Sequence, residues 1–306
     1  MKNLLVPFFL LLLVATLSTS DRALLAQGMV DGFFQPRGQG SITLGYAKVR
    51  ADEFYVADMK VGPIPAHNEI TQDIFSLFAN YGLTDDLTVV VSAPYIRAAG
   101  DGAADPFNSE TSVSGLQDIQ AVLKYRVVSV ETGGGRFDGL VSLGGTIPTG
   151  YENNGILSLG SGATAADFGL GGHYHFDSGL FFTAVGSYSL RGEAENNFGV
   201  SPENVTAQDF DVPNALLGMA KVGYAGANFY AEGWIDTQQS LDGVDIMGPG
   251  FFGNFPETEV NYTRVGASVY VPFGRHLGGS ISYSTLIDGR NISASNLIGA
   301  ALTVGF

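Results

Sequence analysis

The 306-residue chain contains no cysteine. That excludes disulfide frameworks, thiolate metal sites, a cysteine nucleophile and lipidation at an N-terminal cysteine. Charge is scarce as well: Asp, Glu, Lys and Arg make up 15% of the residues, against about a quarter in ordinary soluble domains. Basic residues are the scarcer sign, 15 against 30 acidic, for a net charge of −15. A nucleic-acid partner held on a basic face is therefore disfavoured. Past the first residues there is no apolar run of the roughly 18 residues that a transmembrane helix needs. The one long apolar stretch, Leu4 to Leu17, follows Lys2 and precedes the small residues Ser18, Ser20, Ala23 and Ala26. It reads as a secretory signal peptide over 1–26, followed by a short N-terminal segment over 27–38.

What the chain does have is apolar residues at 45%, aromatics at 11% and 42 glycines, a glycine share roughly double the usual one. It also has a persistent period of two from residue 39 onward. In the stretch 167–176, Phe168, Leu170, Tyr174 and Phe176 share one face, and Asp167, Gly169, Gly171, His173 and His175 share the other. Side chains alternate across a strand, so such a segment is apolar on one side and polar on the other. Twelve segments of this kind fall near 39–50, 70–81, 86–97, 115–130, 138–149, 164–176, 180–192, 212–224, 227–240, 259–272, 277–288 and 293–306. Each is about the length of a tilted membrane-crossing strand, roughly 9–11 residues.

The connections alternate. Short ones at 82–85, 131–137, 177–179, 225–226 and 273–276 carry Gly, Asp and Asn turn chemistry. Long ones lie at 51–69, 98–114, 150–163, 193–211 and 241–258, and only 289–292 breaks the long series. An even number of strands, short turns at one end, long loops at the other and aromatics such as Tyr81, Tyr125, Phe176 and Tyr224 near strand ends describe an outer-membrane barrel. The expectation is an all-β, antiparallel up-and-down transmembrane barrel over 39–306, with short periplasmic turns and long extracellular loops. A secreted soluble sandwich is the alternative. An open sheet edge in lipid would leave backbone groups unpaired, so the sheet must close.

Three motifs in order resemble one family. They are Tyr81-Gly82-Leu83-Thr84-Asp85-Asp86-Leu87-Thr88-Val89 running on to Ala93-Pro94-Tyr95, then Gly115-Leu116-Gln117-Asp118-Ile119 leading to Lys124-Tyr125-Arg126, then Ile147-Pro148-Thr149-Gly150. Together they resemble the outer-membrane family of the MetA pathway of phenol degradation. The resemblance implies a barrel channel, in some members linked to uptake of aromatic or hydrophobic compounds. Turn chemistry alone also accounts for such motifs, because Gly supplies positive φ, Asp bonds its own backbone, and Pro94 and Pro148 sit at strand ends.

The inward faces are where chemistry is expected, since the outward ones meet lipid. The candidates are Asp118, Lys124 and Arg126 on the fourth segment, His173 and His175 on the sixth and Arg191 on the seventh. Glu232, Trp234 and Asp236 follow on the ninth, and Tyr262 and Arg264 on the tenth. Both signs are present, which fits either a charged constriction that selects solutes or a plug of paired side chains. The two His could share a metal, but no third ligand is visible. Catalysis has little support: there is no G-x-S-x-G elbow and no H-E-x-x-H, although Ser187 and Ser189 could lie near the His pair. The long loops are acidic, through Asp101, Asp105, Glu110, Glu193, Glu195, Glu203, Asp209, Asp242, Asp245, Glu257 and Glu259. A negative mouth would enrich cations, and the carboxylates could bridge divalent ions to anionic lipid.

The expected function is a passive outer-membrane channel for small solutes with a cation preference. The alternatives are a closed structural or loop-binding barrel with a filled lumen and, more remotely, a barrel hydrolase. The expected partners are outer-membrane lipid and lipopolysaccharide, the barrel-assembly machinery through the last strand ending in Phe306, and small solutes. No cofactor and no nucleic acid are expected.

Overall fold

The computed structural model describes residues 29–153, 155–195, 209–251 and 255–306. The signal-peptide assignment falls outside them. Twelve long strands build the wall: β1 Gly40–Ala51, β2 Ile70–Thr84, β3 Leu87–Gly100, β4 Ile119–Thr132, β5 Gly135–Ile147, β6 Ala163–Phe176, β7 Leu180–Ala194, β8 Ala215–Ala225, β9 Tyr230–Ser240, β10 Asn261–Pro272, β11 Leu277–Arg290 and β12 Asn296–Gly305. Each pairs antiparallel with the next, and β1 pairs with both β2 and β12, so the sheet closes on itself. Closure leaves no edge, which is the condition for a sheet to live in lipid.

The alternating pattern acquires a direction here. Leu44, Leu77, Leu302 and Val304 stand on one face and are exposed, while Ser41, Asn80, Thr88, Thr183 and Thr303 stand on the other and are buried. Apolar side chains point out and polar ones point in, the reverse of a soluble domain and the arrangement of a membrane barrel. Register fixes this, because a slip of one residue would turn every polar side chain to the lipid. Leu44 lies opposite Leu77 on one side and Leu302 on the other.

One wall position is interrupted. The short strand Ser112–Leu116 pairs with the outer part of β3, and β4 takes over the inner part after Gln117 and Asp118. Pro94 on β3, with no N–H to give to a ladder, faces this break, and its carbonyl accepts from the Gln117 amide at 2.8 Å. The break lets Asp118 turn inward, where its carboxylate accepts from the Tyr151 hydroxyl at 2.6 Å.

Two segments fill the ends. At the long-loop end, residues 155–161 dip into the mouth. Leu157 packs with Ala51, Ile64 and Ile70, and Leu159 packs with Ile96 and Ala98. Asp105, itself buried, holds this loop by accepting from the Ile156 amide at 2.5 Å and contacts the buried His67 ring at 3.4 Å. Tyr151 anchors the same loop to Asp118. Burial, then the Asp118 carboxylate, push the Tyr151 phenol up, so it stays protonated as a donor.

At the short-turn end, residues 31–35 lie inside the barrel. Asp31 meets Lys124 at 2.5 Å, and Phe33 sits edge-on to Phe181, Tyr230 and His173. Phe34 lies under Lys124 and Arg126, whose cationic groups are 5.3 and 4.8 Å from the ring centre. Gly32 is required there: a Cβ on it would stand 2.1 Å from the His173 ring.

A wall facing lipid resists charge most at mid-height. Leu44→Arg is expected to lower the unfolding free energy of the vesicle-embedded barrel by roughly 2–4 kcal/mol. Thr43→Asn, one residue away but facing inward, should change it far less. Equilibrium denaturant titration compares the two, and equal effects would contradict the assigned face.

Candidate functional site: the barrel interior

Among the described residues, three cavities follow one another along the barrel interior. The outer one, about 870 Å³, is roofed by residues 156–161 and 255–258 and lined by Ile70, Ala98, Asp118, Leu157, Leu159, Asp167, Arg191, Val212, Asp236, Tyr262 and Arg264. The middle one, about 420 Å³, is lined by Lys221, Glu232, Trp234, Asp236, Arg264 and Ser268 on β8–β10. Across from these stand mainly small or hydroxylated groups, among them Thr43, Gly45, Ser76, Ser92, Gly299 and Ala301, with Tyr46 and Phe78 as the aromatic positions. The inner one, about 1190 Å³, opens at the short-turn end, among Phe33, Phe34, Arg126, Arg136, His173, His175, Arg275 and Phe306.

Asp236 and Arg264 line both the outer and the middle cavity, so their contact stands where the two meet. They lie directly opposite each other on β9 and β10. The guanidinium bonds the carboxylate through two nitrogens, Nη2 at 2.6 Å and Nε at 3.1 Å, the fork geometry that makes such pairs strong. Trp234 and Tyr262 flank it, with Arg264 5.3 and 5.8 Å from their ring centres. The Trp234 indole lies against Gly266, its cross-strand partner, where a Cβ would stand 2.2 Å from the ring. Glycine at 266 is what lets the single tryptophan of the chain lie flat along the wall.

One layer inward, Lys221 meets Glu232 at 3.3 Å. Glu232 also accepts from the Tyr230 hydroxyl at 2.5 Å and from Ser268 at 3.2 Å. Tyr230 carries the connection on to Phe33 of the N-terminal segment, which lines the inner cavity. Arg126 reaches Asp138 at 3.3 Å and Asp86 at 2.9 Å. His173 hydrogen-bonds Thr183 at 2.7 Å, and His175 stands 6.3 Å from it, ring centre to ring centre. Arg191 donates to Gln238 at 2.8 Å.

The structure therefore places the candidates in three groups. Asp118, Arg191, Asp236, Tyr262 and Arg264 border the outer cavity. Glu232 and Trp234 join Asp236 and Arg264 at the middle one, and Arg126, His173 and His175 border the inner one. Lys124 is taken up by Asp31.

It does not bring Ser187 and Ser189 to the His pair. His173 is opposite Thr183, while Ser187 is opposite Gly169, about 13 Å further along the strand. Among the described residues no three His, Asp or Glu side chains gather to hold a metal. Sequence reasoning missed Asp31, Phe33, Lys221 and Asp138. Lys221 had a signal, since it alternates with Met219 and Gly223 on the face opposite Val222, whereas nothing in the sequence ties Asp31 to Lys124.

Residues 67–301 match the family described as "Putative MetA-pathway of phenol degradation". The chain belongs to this family. Among solved structures it is similar to the COG4313 outer membrane channel from Pseudomonas putida F1. The identity is 16%, the TM-score 0.69, and the match covers 91% of this chain and all of that one. Weaker overlaps are with the translocator domain of the autotransporter NalP from Neisseria meningitidis (13% identity, TM-score 0.46, 89% of each chain) and with a mutant of the TodX monoaromatic hydrocarbon channel (11% identity, TM-score 0.44, 89% of this chain and 91% of that one). No curated protein matches. The architecture is thus that of an outer-membrane barrel.

Splitting the Asp236–Arg264 pair should move ion selectivity in opposite directions. Arg264→Ala leaves an uncompensated carboxylate and should shift the reversal potential in a salt gradient toward cations. Asp236→Asn leaves the guanidinium and should shift it toward anions. Shifts of one sign for both would mean that ions do not pass this pair.

Proposed function

We propose that the family member described here is a passive channel of the outer membrane for small solutes, aromatic or hydrophobic ones included, with a cation preference set at its mouth. The observation that carries this is the series of three interior cavities between the loop end and the turn end, two of them sharing the Asp236–Arg264 wall. Barrels of this size lie between those filled by their own side chains and the wide porins. The outer cavity has an apolar side formed by Ile70, Ala98, Leu157, Leu159 and Val212, which suits a solute with a hydrophobic ring. The similarity to the Pseudomonas putida outer membrane channel supports the same reading.

Charges within the lumen are largely paired, as in Lys221–Glu232 and Arg264–Asp236. The preference for cations therefore comes from the acidic loops, which raise the local concentration of positive ions. In this reading the short turns face the periplasm, the chain is exported with residues 1–26 removed, and the last strand is handed to the assembly machinery.

The packing of Asp31 and Phe33 at the turn end favours a second reading, a barrel closed at rest. Single-channel recording of the mature chain in a planar bilayer separates the two. A channel gives steady, cation-biased openings, whereas a folded barrel that stays silent is the closed scaffold.

The inward loop narrows the mouth through Leu157 and Leu159. Replacing both with Ser should roughly double the open conductance by releasing the loop from the wall. An unchanged conductance would place the narrowest point elsewhere.

A further inference from the structure

We propose that Lys48, Arg50 and Arg97 form a binding site, on the outside of the barrel wall, for the phosphate groups of lipopolysaccharide. The proposal rests on the outer-membrane placement above and adds a specific lipid contact to it.

The lipid-facing surface of β1–β3 and β12 is apolar over most of its height. From the turn end upward β1 presents Ile42, Leu44 and Tyr46, flanked by Leu77 and Phe75 on β2, and all are exposed. Then the chemistry of the surface changes. Lys48 lies opposite Asp73, and Asp73 lies opposite Arg97, so the three stand side by side on adjacent strands. Arg50 follows two residues later on β1 and pairs with Glu69. These side chains share the parity of Leu44 and Leu77 and therefore point outward, not into the lumen.

Their height fits an interface. Lys48 is eight residues along β1 from Gly40, which lies opposite the aromatic Tyr81 at the turn end. At the usual rise and tilt that is about 21 Å along the membrane normal. The apolar band of an outer-membrane barrel is about 25 Å tall between its interfaces. The cations thus stand where hydrocarbon gives way to head groups at the loop end, the level at which lipopolysaccharide carries its phosphates.

The geometry also favours an anion. The chain carries a net charge of −15, yet here three cations face two carboxylates. The Arg50 and Lys48 side chains are 67% and 50% exposed. Asp73 accepts from the Tyr46 hydroxyl at 2.7 Å and from Lys48 at 3.4 Å. Glu69 accepts from Arg50 Nε at 2.8 Å. Each carboxylate holds its cation by the head group, Lys48 through Nζ and Arg50 through Nε and Nη2, and leaves N–H donors of both unused. The Arg97 side chain, which faces Asp73 across the ladder, makes no hydrogen bond among the described residues, so its fork is available for a phosphate.

Mature barrel, refolded in detergent with EDTA to remove divalent bridges, can be titrated with bisphosphorylated lipid A and with its dephosphorylated form. Bound lipid is counted by native mass spectrometry, after far-UV circular dichroism has verified the fold of each variant. The triple variant K48Q/R50Q/R97Q should bind bisphosphorylated lipid A at least about tenfold more weakly. It should bind the dephosphorylated lipid as the parent does and keep its single-channel conductance. Asp73→Asn removes a competing carboxylate and should bind the phosphorylated lipid more tightly.

Equal affinity of the triple variant and the parent overturns the proposal. So does displacement of lipid A by millimolar inorganic phosphate, which would indicate a site for the free ion. Failure of the parent to bind the phosphorylated lipid overturns the proposal as well, whereas failure of the barrel to insert into lipid vesicles would instead overturn the outer-membrane placement.

Discussion

Backbone hydrogen bonding in a solvent that offers none is the constraint from which this structure follows. Every N–H and C=O of the wall must be answered by the neighbouring strand, so β1 has to find β12, and it does so over ten consecutive residue pairs from Ser41↔Gly305 to Arg50↔Asn296. That closure sets the tilt and register, and register decides which residue of each dipeptide meets lipid. Outward leucines and inward serines are consequences of one alignment rather than separate stabilising choices.

The same closure creates the problem that the interior solves. A barrel of twelve strands encloses more space than its wall side chains fill, and the inward groups include buried charges such as Lys124, Lys221, Glu232 and Asp138. A lone charge so placed is costly, and each here has a partner: Asp31 for Lys124, Glu232 for Lys221, Arg126 for Asp138. One partner comes from outside the wall altogether, since Asp31 arrives on the N-terminal segment with Phe33 and Phe34. The ends of the barrel are thus finished by non-barrel chain, through residues 31–35 at one end and the Leu157–Leu159 loop at the other, and the middle is left open.

Much of the wall was legible in the sequence because a membrane strand writes its two environments into alternate residues. The alternation at 164–176 and the long-short rhythm of the connections give strand number and the placement of loops. The inward position of Glu232, Asp236 and Arg264 follows from parity alone. What parity does not carry is distance between strands remote in sequence. Asp31 and Lys124 are 93 residues apart, and no local pattern marks them as partners. The Leu157–Leu159 loop was equally hidden: its alternating apolar residues resemble a fragment of strand, and only the space they enter shows why they are apolar. The stretch through Gln117–Asp118 reads as continuous strand in the sequence, because the cause of its interruption, Pro94, lies on another strand.

The middle cavity is lopsided. The charged groups and Trp234 on β8–β10 stand on one side, and mostly small hydroxyl, glycine and alanine positions, with Phe78, on the other. Paired charges along a single wall set up a field that runs across the passage rather than along it. A molecule with a polar end and an apolar end entering such a space lowers its energy by turning until its dipole follows that field. Orientation would then be imposed before size is tested, and two solutes of equal girth would be told apart by where each carries its polarity.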